Sequence, residues 1–290
     1  MNRTSEQTAA IREELRSTKA TRNPFYKQVR QHIRKAKDKY GKSIIQLEKL
    51  LLRAPMMAMT DPLAKRIKRE MEARNVRRID LEGEFYRARP VEKGKKFTVK
   101  EMTAPPLGWP NEGRFNHSGQ NHLYLATNEE TCVKEVLDGL PTGGQVCCIK
   151  WKLVHPVKNV LDLSYDWKDL GPSASTLLVA LNAMHALERR HRNNLNWKPD
   201  YVLTRMIMDV AKETGFSGIL YNSVRGDGKN VVLFNPKTKL KVTRKPWCVD
   251  PSHYTKSRSI NEQKGGTKRP RRRSKVKNFR TARRLRKSRA

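Results

Sequence analysis

The sequence is short of acidic side chains. Only 28 Asp and Glu oppose 62 Lys and Arg in 290 residues, a net charge of +34. No fold requires such an excess; it concerns partners, and polyanions come first among them. Long apolar runs are missing too. Nothing approaches the roughly 18 residues of a membrane-crossing helix. No apolar h-region follows Met1–Glu6, so neither a membrane span nor a secretory leader is expected. Cysteine is scarce: Cys132, Cys147, Cys148 and Cys248 have no zinc-site spacing, and in a strand the adjacent Cys147 and Cys148 would point to opposite faces. The expectation is free thiols in a reducing compartment, the cytoplasm. There is no P-loop, no dinucleotide-binding glycine fingerprint, no HExxH and no GxSxG. The seven histidines show no metal-ligand spacing, and no metal is expected.

What is present is unevenly spread. Of the +34, residues 1–80 carry +12 (21 basic, 9 acidic) and residues 256–290 carry +15 (16 basic, one acidic), which leaves +7 for the 175 residues between. Length alone suggests about two domains. Charge and pattern divide the chain into a basic helical extension over residues 1–80, a central domain over residues 83–250, and a basic tail over residues 256–290. The tail has little apolar content and reads as disordered in isolation. Its cations, with Phe279 the single aromatic, suit phosphate-driven contact with nucleic acid or another polyanion.

Within Gln31–Leu52, Ile33, Ile44, Leu47 and Leu51 share one helix face, although Gly41 interrupts the pattern. Ala64–Arg74 resumes it as a short basic helix. From Gly83 the character changes to mixed strand and helix. Glu84–Arg89 ends at Pro90, as an edge strand would, and residues 91–112 read as loop. Leu123–Ala126 is a short strand, and Thr127 or Asn128 can cap a helix from Glu129 to about Leu137. Gln145–Val154 ends in strict alternation. Two apolar helices follow, around Leu177–Leu187 and Leu203–Val210. Gly218–Asn222 and Asn230–Phe234 form a hairpin around Gly226-Asp227-Gly228, with Arg225 read as turn chemistry. Leu240–Val242 adds a last strand.

The polar residues left over lie at or near strand ends: Arg87, Arg89, Arg114, Asn116, Tyr124, Glu135, Ser223, Asn230 and Asn235. As a set they suit a phosphorylated sugar–nucleotide. Arginine offers a fixed fork of donors for phosphate. Tyrosine offers a flat face for a heteroaromatic ring. A carboxylate can hold ribose hydroxyls and stabilise an oxocarbenium-like transition state. Serine and asparagine orient a ligand with neutral hydrogen bonds.

These motifs resemble a known family. Phe85-Tyr86-Arg87-Ala88-Arg89, Gly113-Arg114-Phe115-Asn116, Leu123-Tyr124-Leu125-Ala126 with Glu135 downstream, and Tyr221-Asn222-Ser223 followed by Asn230–Pro236 are similar to the RES domain, in its order, over residues 83–243. Departures are Phe115 for the commoner tryptophan, Asn222 where a proline usually precedes the serine, and a long segment from Ser164 to Asp200. The resemblance implies an α+β, ADP-ribosyltransferase-like fold and a toxin that degrades NAD, paired with an Xre-type antitoxin. It implies Glu135, Arg87 and Ser223 as catalytic residues, and Arg89, Arg114, Asn116, Tyr124, Asn230 and Asn235 as NAD-binding ones. Glu135 would stabilise charge at the ribose, Tyr124 would stack on nicotinamide, and Arg87 and Arg114 would hold phosphates. The implied reaction is cleavage of the nicotinamide–ribose bond by a glycohydrolase or phosphorylase. The alternatives are ADP-ribosyl transfer to protein or nucleic acid, and a non-catalytic nucleic-acid binder with a RES-like core.

Overall fold

A computed structural model describes residues 24–164 and 198–255, with residues 175, 178, 179, 181, 186 and 187 between them. The tail from Lys256, the chain before Pro24, and most of the apolar stretch from Leu177 to Leu187 lie outside the described residues. The described residues belong to one compact unit that ends at Thr255.

Helix α1 (Pro24–Arg53) runs unbroken through Gly41. Gly41 is itself buried, and tertiary packing outweighs the roughly 1 kcal/mol that a glycine costs a helix interior. The expected stripe of Ile44, Leu47 and Leu51 faces the core. Asp61 caps α2 (Pro62–Glu72), its carboxylate accepting from the Leu63 and Ala64 N–H groups, and Pro62 at the first turn has no N–H to leave unpaired. Helices α1 and α2 pack on the helix Val202–Glu213, and all three bury apolar side chains against one sheet face, through Ile44, Leu47, Ile67, Leu203, Ile207, Ile219 and Val232. Full burial of each aliphatic side chain contributes about 1.5–3 kcal/mol.

The sheet has eight strands: β1 (Arg78–Leu81), β2 (Glu84–Val91), β3 (Leu123–Ala126), β4 (Gln145–Leu153), β5 (Val157–Asp162), β6 (Gly218–Asn222), β7 (Lys229–Leu233) and β8 (Leu240–Val249). Their spatial order is β1-β5-β6-β7-β3-β2-β4-β8, antiparallel throughout except between β5 and β6. Alternation along β7 sends Val232 to the helical side and Val231 and Leu233 to the second core, with Phe85, Ile149 and Trp151. Helix α3 (Glu129–Val136) packs through Val133 on Val146 and Cys148, a third, smaller core. The mixed helix-and-sheet architecture agrees with the expected α+β class.

Four expectations need correction. First, β2 is central, with β4 on one side and β3 on the other. It nevertheless accommodates Pro90, because its pairing with β3 is confined to Tyr86↔Ala126, so no ladder bond is asked of Pro90 on that side. Second, β8 spans ten residues, not three. Third, β1 and β5 were not expected; β1 is four residues long and half-buried, too little for a period to register. Fourth, Cys147 and Cys248 face each other across β4 and β8 with Cα atoms 4.1 Å apart and are joined as a disulfide. Only Cys132 and Cys148 remain free, both buried. A strand register linking positions 101 residues apart cannot be read from cysteine spacing.

Candidate active site

Asn128 caps α3 by accepting from the Thr131 N–H at 2.8 Å. Further along the helix, Glu135 meets the loop that joins β6 to β7. Its Oε1 accepts from Ser223 Oγ at 2.5 Å and from Asn230 Nδ2 at 2.7 Å, and its Oε2 lies 3.5 Å from Arg225 Nε. Arg225 is in turn bound to Asp138 at 2.6 Å. The Ser223 hydroxyl also accepts from the Arg225 and Gly226 N–H groups, at 3.0 and 3.1 Å. Those two donors occupy its lone pairs and direct its single proton to the carboxylate. Ser223 and Asn230 are almost fully buried, whereas the Glu135 side chain keeps 28% of its surface exposed. The acid is therefore held from behind and open in front.

The loop reaches α3 because it can lie flat on the helix start. The Gly228 N–H donates to Thr131 Oγ1 at 2.9 Å, and a Cβ on Gly228 would sit 2.4 Å from Asn128 Nδ2 and 2.6 Å from that hydroxyl. Only glycine allows that approach.

Arg87 follows immediately after the last β2–β3 pair and reaches across the opening strands. Its Nη1 donates to the Tyr124 carbonyl at 3.1 Å, while its Nε is buried and has no hydrogen-bond partner. Burial, with the like charge of Arg89 second, lowers its pKa to about 10, so it stays cationic at neutral pH. A buried guanidinium with an unused N–H is suited to an anion. The buried Cys132 thiol, pushed well up by desolvation, lies within electrostatic reach of both Arg87 and Glu135, which puts the two in one neighbourhood.

A second cluster forms around the turn Gly113–Asn116. The Phe115 N–H donates to Tyr124 Oη at 3.0 Å, and that hydroxyl donates to Asn116 Oδ1 at 2.9 Å. Asn116 Nδ2 donates to the Asn111 and His117 carbonyls. Thr204 Oγ1 donates to the Arg114 carbonyl, and buried His122 meets the Phe115 carbonyl. A Cβ on Gly113 would fall 2.2 Å from Asn116 Oδ1, so the turn needs glycine there. Desolvation raises the Tyr124 phenol well above its usual value. The Arg114 guanidinium is buried, donates to the Leu187 carbonyl at 2.6 Å and lies over the Tyr201 ring at 4.8 Å.

The structure thus brings Glu135, Ser223 and Asn230 together and sets Arg87 nearby. Arg114, Asn116 and Tyr124 form the neighbouring turn cluster; the buried Tyr221 phenol senses both Glu135 and Arg114. Two expected residues stand apart. Arg89 donates to the Glu101 carbonyl and lies over Phe97. Asn235 is exposed past the far end of β7 from Asn230, its Oδ1 accepting from the Lys237 N–H within the next turn. Arg225 was missed as a site residue. Its position two residues after the serine was the available signal, and reading Arg225-Gly226-Asp227 as a simple turn concealed it.

The profile of the RES domain matches residues 84–252. The chain belongs to the RES domain family. Among solved structures, this RES domain is similar to a chain in the crystal structure of the M. tuberculosis MbcT-MbcA toxin-antitoxin complex, at 16% identity and a TM-score of 0.39, over 66% of this chain and 95% of that one. No curated protein sequence matches it.

Proposed function

We propose that this RES domain is a toxin-like enzyme that cleaves the nicotinamide–ribose bond of NAD. The observation that carries the reading is the Glu135 carboxylate, held by Ser223, Asn230 and Arg225 yet still open to a ligand. As the nicotinamide bond breaks, positive charge grows on the ribose ring. A carboxylate already oriented by its neighbours stabilises that charge without reorganising. Ser223 and Asn230 act through Glu135, fixing which of its oxygens faces outward. The unused Nε of Arg87 supplies a donor for the pyrophosphate, with Arg114 as a second cation once its contact with Leu187 opens. The Tyr124 ring is the flat surface for nicotinamide. The acceptor is water, phosphate or a macromolecular nucleophile. On the same reading, an antitoxin of the Xre type is the protein partner.

The test is NAD loss and nicotinamide release by the purified chain, compared with Glu135→Gln. The proposal expects turnover in the wild type and almost none in the variant. A folded wild type that leaves NAD intact with water, phosphate and nucleic acid all present would refute it.

A further inference from the structure

Helix α1 carries its charge on the side turned away from the core. Its buried stripe runs through Val29, Ala36, Tyr40, Ile44, Leu47 and Leu51. Opposite that stripe lie Lys27, Arg34, Lys35, Lys42, Lys49 and Arg53, all exposed, with Asp38 as the one acid among them. Lys35, Lys42 and Lys49 recur every seven residues, which is about 10.5 Å per step along a helix about 45 Å long. Of the six cations only Arg34 has an acidic partner, a solvent-exposed contact with Asp38 at 4.0 Å; among the described residues the other five have none. A face that merely needs solubility alternates acids and bases at i,i+4, because opposite charges there support the helix and like charges weaken it. This face has a single acid, Asp38, at that spacing from Arg34 and Lys42, and elsewhere it places like charges there, at Lys49 and Arg53.

We propose that the outer face of α1 is a docking surface for duplex nucleic acid, gripped through its phosphates. Charge complementarity selects the partner: the face is a straight, nearly acid-free row of long cationic side chains, interleaved with Gln28, Gln31 and Gln46 as neutral donors. No aromatic side chain is exposed on it between Lys27 and Arg53, so it offers no platform for the unstacked bases of a single strand. Its grip is therefore on the backbone, strongest where phosphates are densest, and blind to sequence. The helix has already buried its apolar stripe in the protein, so it cannot lie in a bilayer as an amphipathic anchor does. The surface is separate from the Glu135 site, and neither reading depends on the other.

The test titrates the full-length chain with an arbitrary duplex of about 25 base pairs at several salt concentrations between about 50 and 200 mM. Lys35→Gln/Lys42→Gln/Lys49→Gln is compared with Lys239→Gln/Lys241→Gln/Lys245→Gln, which removes the same charge from exposed positions on or beside β8. Both keep residues 256–290. The helix variant should lose about 10- to 100-fold in affinity, with the log–log salt slope shallower by about 3, while the β8 variant stays within about twofold of wild type. Lys42→Gln alone should flatten the slope by about 1. Equal losses in the two triple variants would reduce the effect to bulk charge. An unchanged helix variant would leave α1 a solvated face. Ile45 and Leu52 are exposed on the same face, about five turns beyond Lys27 and Arg34, so anionic phosphatidylserine vesicles run beside the duplex; loss of vesicle binding with duplex binding retained would overturn the proposal in favour of a membrane.

Discussion

The cluster around Glu135 and the cluster around the Gly113–Asn116 turn are made from the same kinds of residue, but they differ in access and in saturation. At the turn, Arg114, Asn116 and the Tyr124 hydroxyl sit out of solvent, and their polar groups bond to one another and to the backbone. At Glu135 the supporting serine and asparagine are equally buried, yet the carboxylate they hold is partly exposed. Sealed and satisfied polar groups hold a backbone in place, whereas an oriented group with a free side remains available to a ligand. On the proposed reading the Glu135 cluster is open to a ligand as it stands, whereas Arg114 must first leave the Leu187 carbonyl.

The largest expected effect separates them most sharply. Glu135→Gln keeps the size and one acceptor but removes the charge, and NAD cleavage should fall about 10²- to 10³-fold, with an unchanged urea midpoint. Wild-type turnover in that variant would erase the distinction. The mirror image is Asn116→Ala, which strips partners from Tyr124 Oη and two carbonyls. It should destabilise the fold by about 1–3 kcal/mol in urea unfolding, a cost that Glu135→Gln does not share. Next comes Arg225→Gln. Its contact with Glu135 is long, 3.5 Å, between two partly buried side chains; taken as worth about 1 kcal/mol, its loss should lower kcat/KM about fivefold, with Arg225→Lys restoring part of it. A loss as deep as that of Glu135→Gln would make Arg225 a direct participant.

The smallest effect concerns His122, which belongs to the turn cluster alone. Burial holds its pKa below the usual value, opposed by the Phe115 carbonyl; Lys212 lowers it further, Asp209 raises it and His117 lowers it. As pH falls through about 6.5 the unfolded chain takes the proton before the folded one, so stability drops on acidification. Replacing His122 with Asn should flatten that drop when urea midpoints at about pH 7.5 and 5.5 are compared with wild type. A steeper acid loss in the variant would reverse the sign.

Much of the secondary structure was legible. Thr127 or Asn128 announced the start of α3 because capping is local chemistry, Asn128 proving to be the cap, and the apolar spacing of α1, β4 and β7 follows directly from the geometry of helix and strand. The misreadings share one cause. Pro90 suggested an edge, but whether a strand lies at an edge depends on which neighbours it finds. The cysteine spacing suggested free thiols, but pairing across β4 and β8 depends on register. Arg225 looked like a turn residue because its partners, Glu135 in α3 and Asp138 in the turn that follows it, come about ninety positions earlier.

By itself, then, the sequence determined the periods, caps and glycine-dependent turns, the excess of positive charge, and a set of candidate residues chemically fit for a nucleotide. The tertiary structure alone decided which of them meet. Register is a property of a strand pair and not of either strand. It set Tyr221 opposite Asn230, brought the β6–β7 loop down on α3, and left Arg89 and Asn235 outside. Solvent access is likewise set only once the layers close, and it is what leaves Glu135 open while Arg114 is sealed under Leu187.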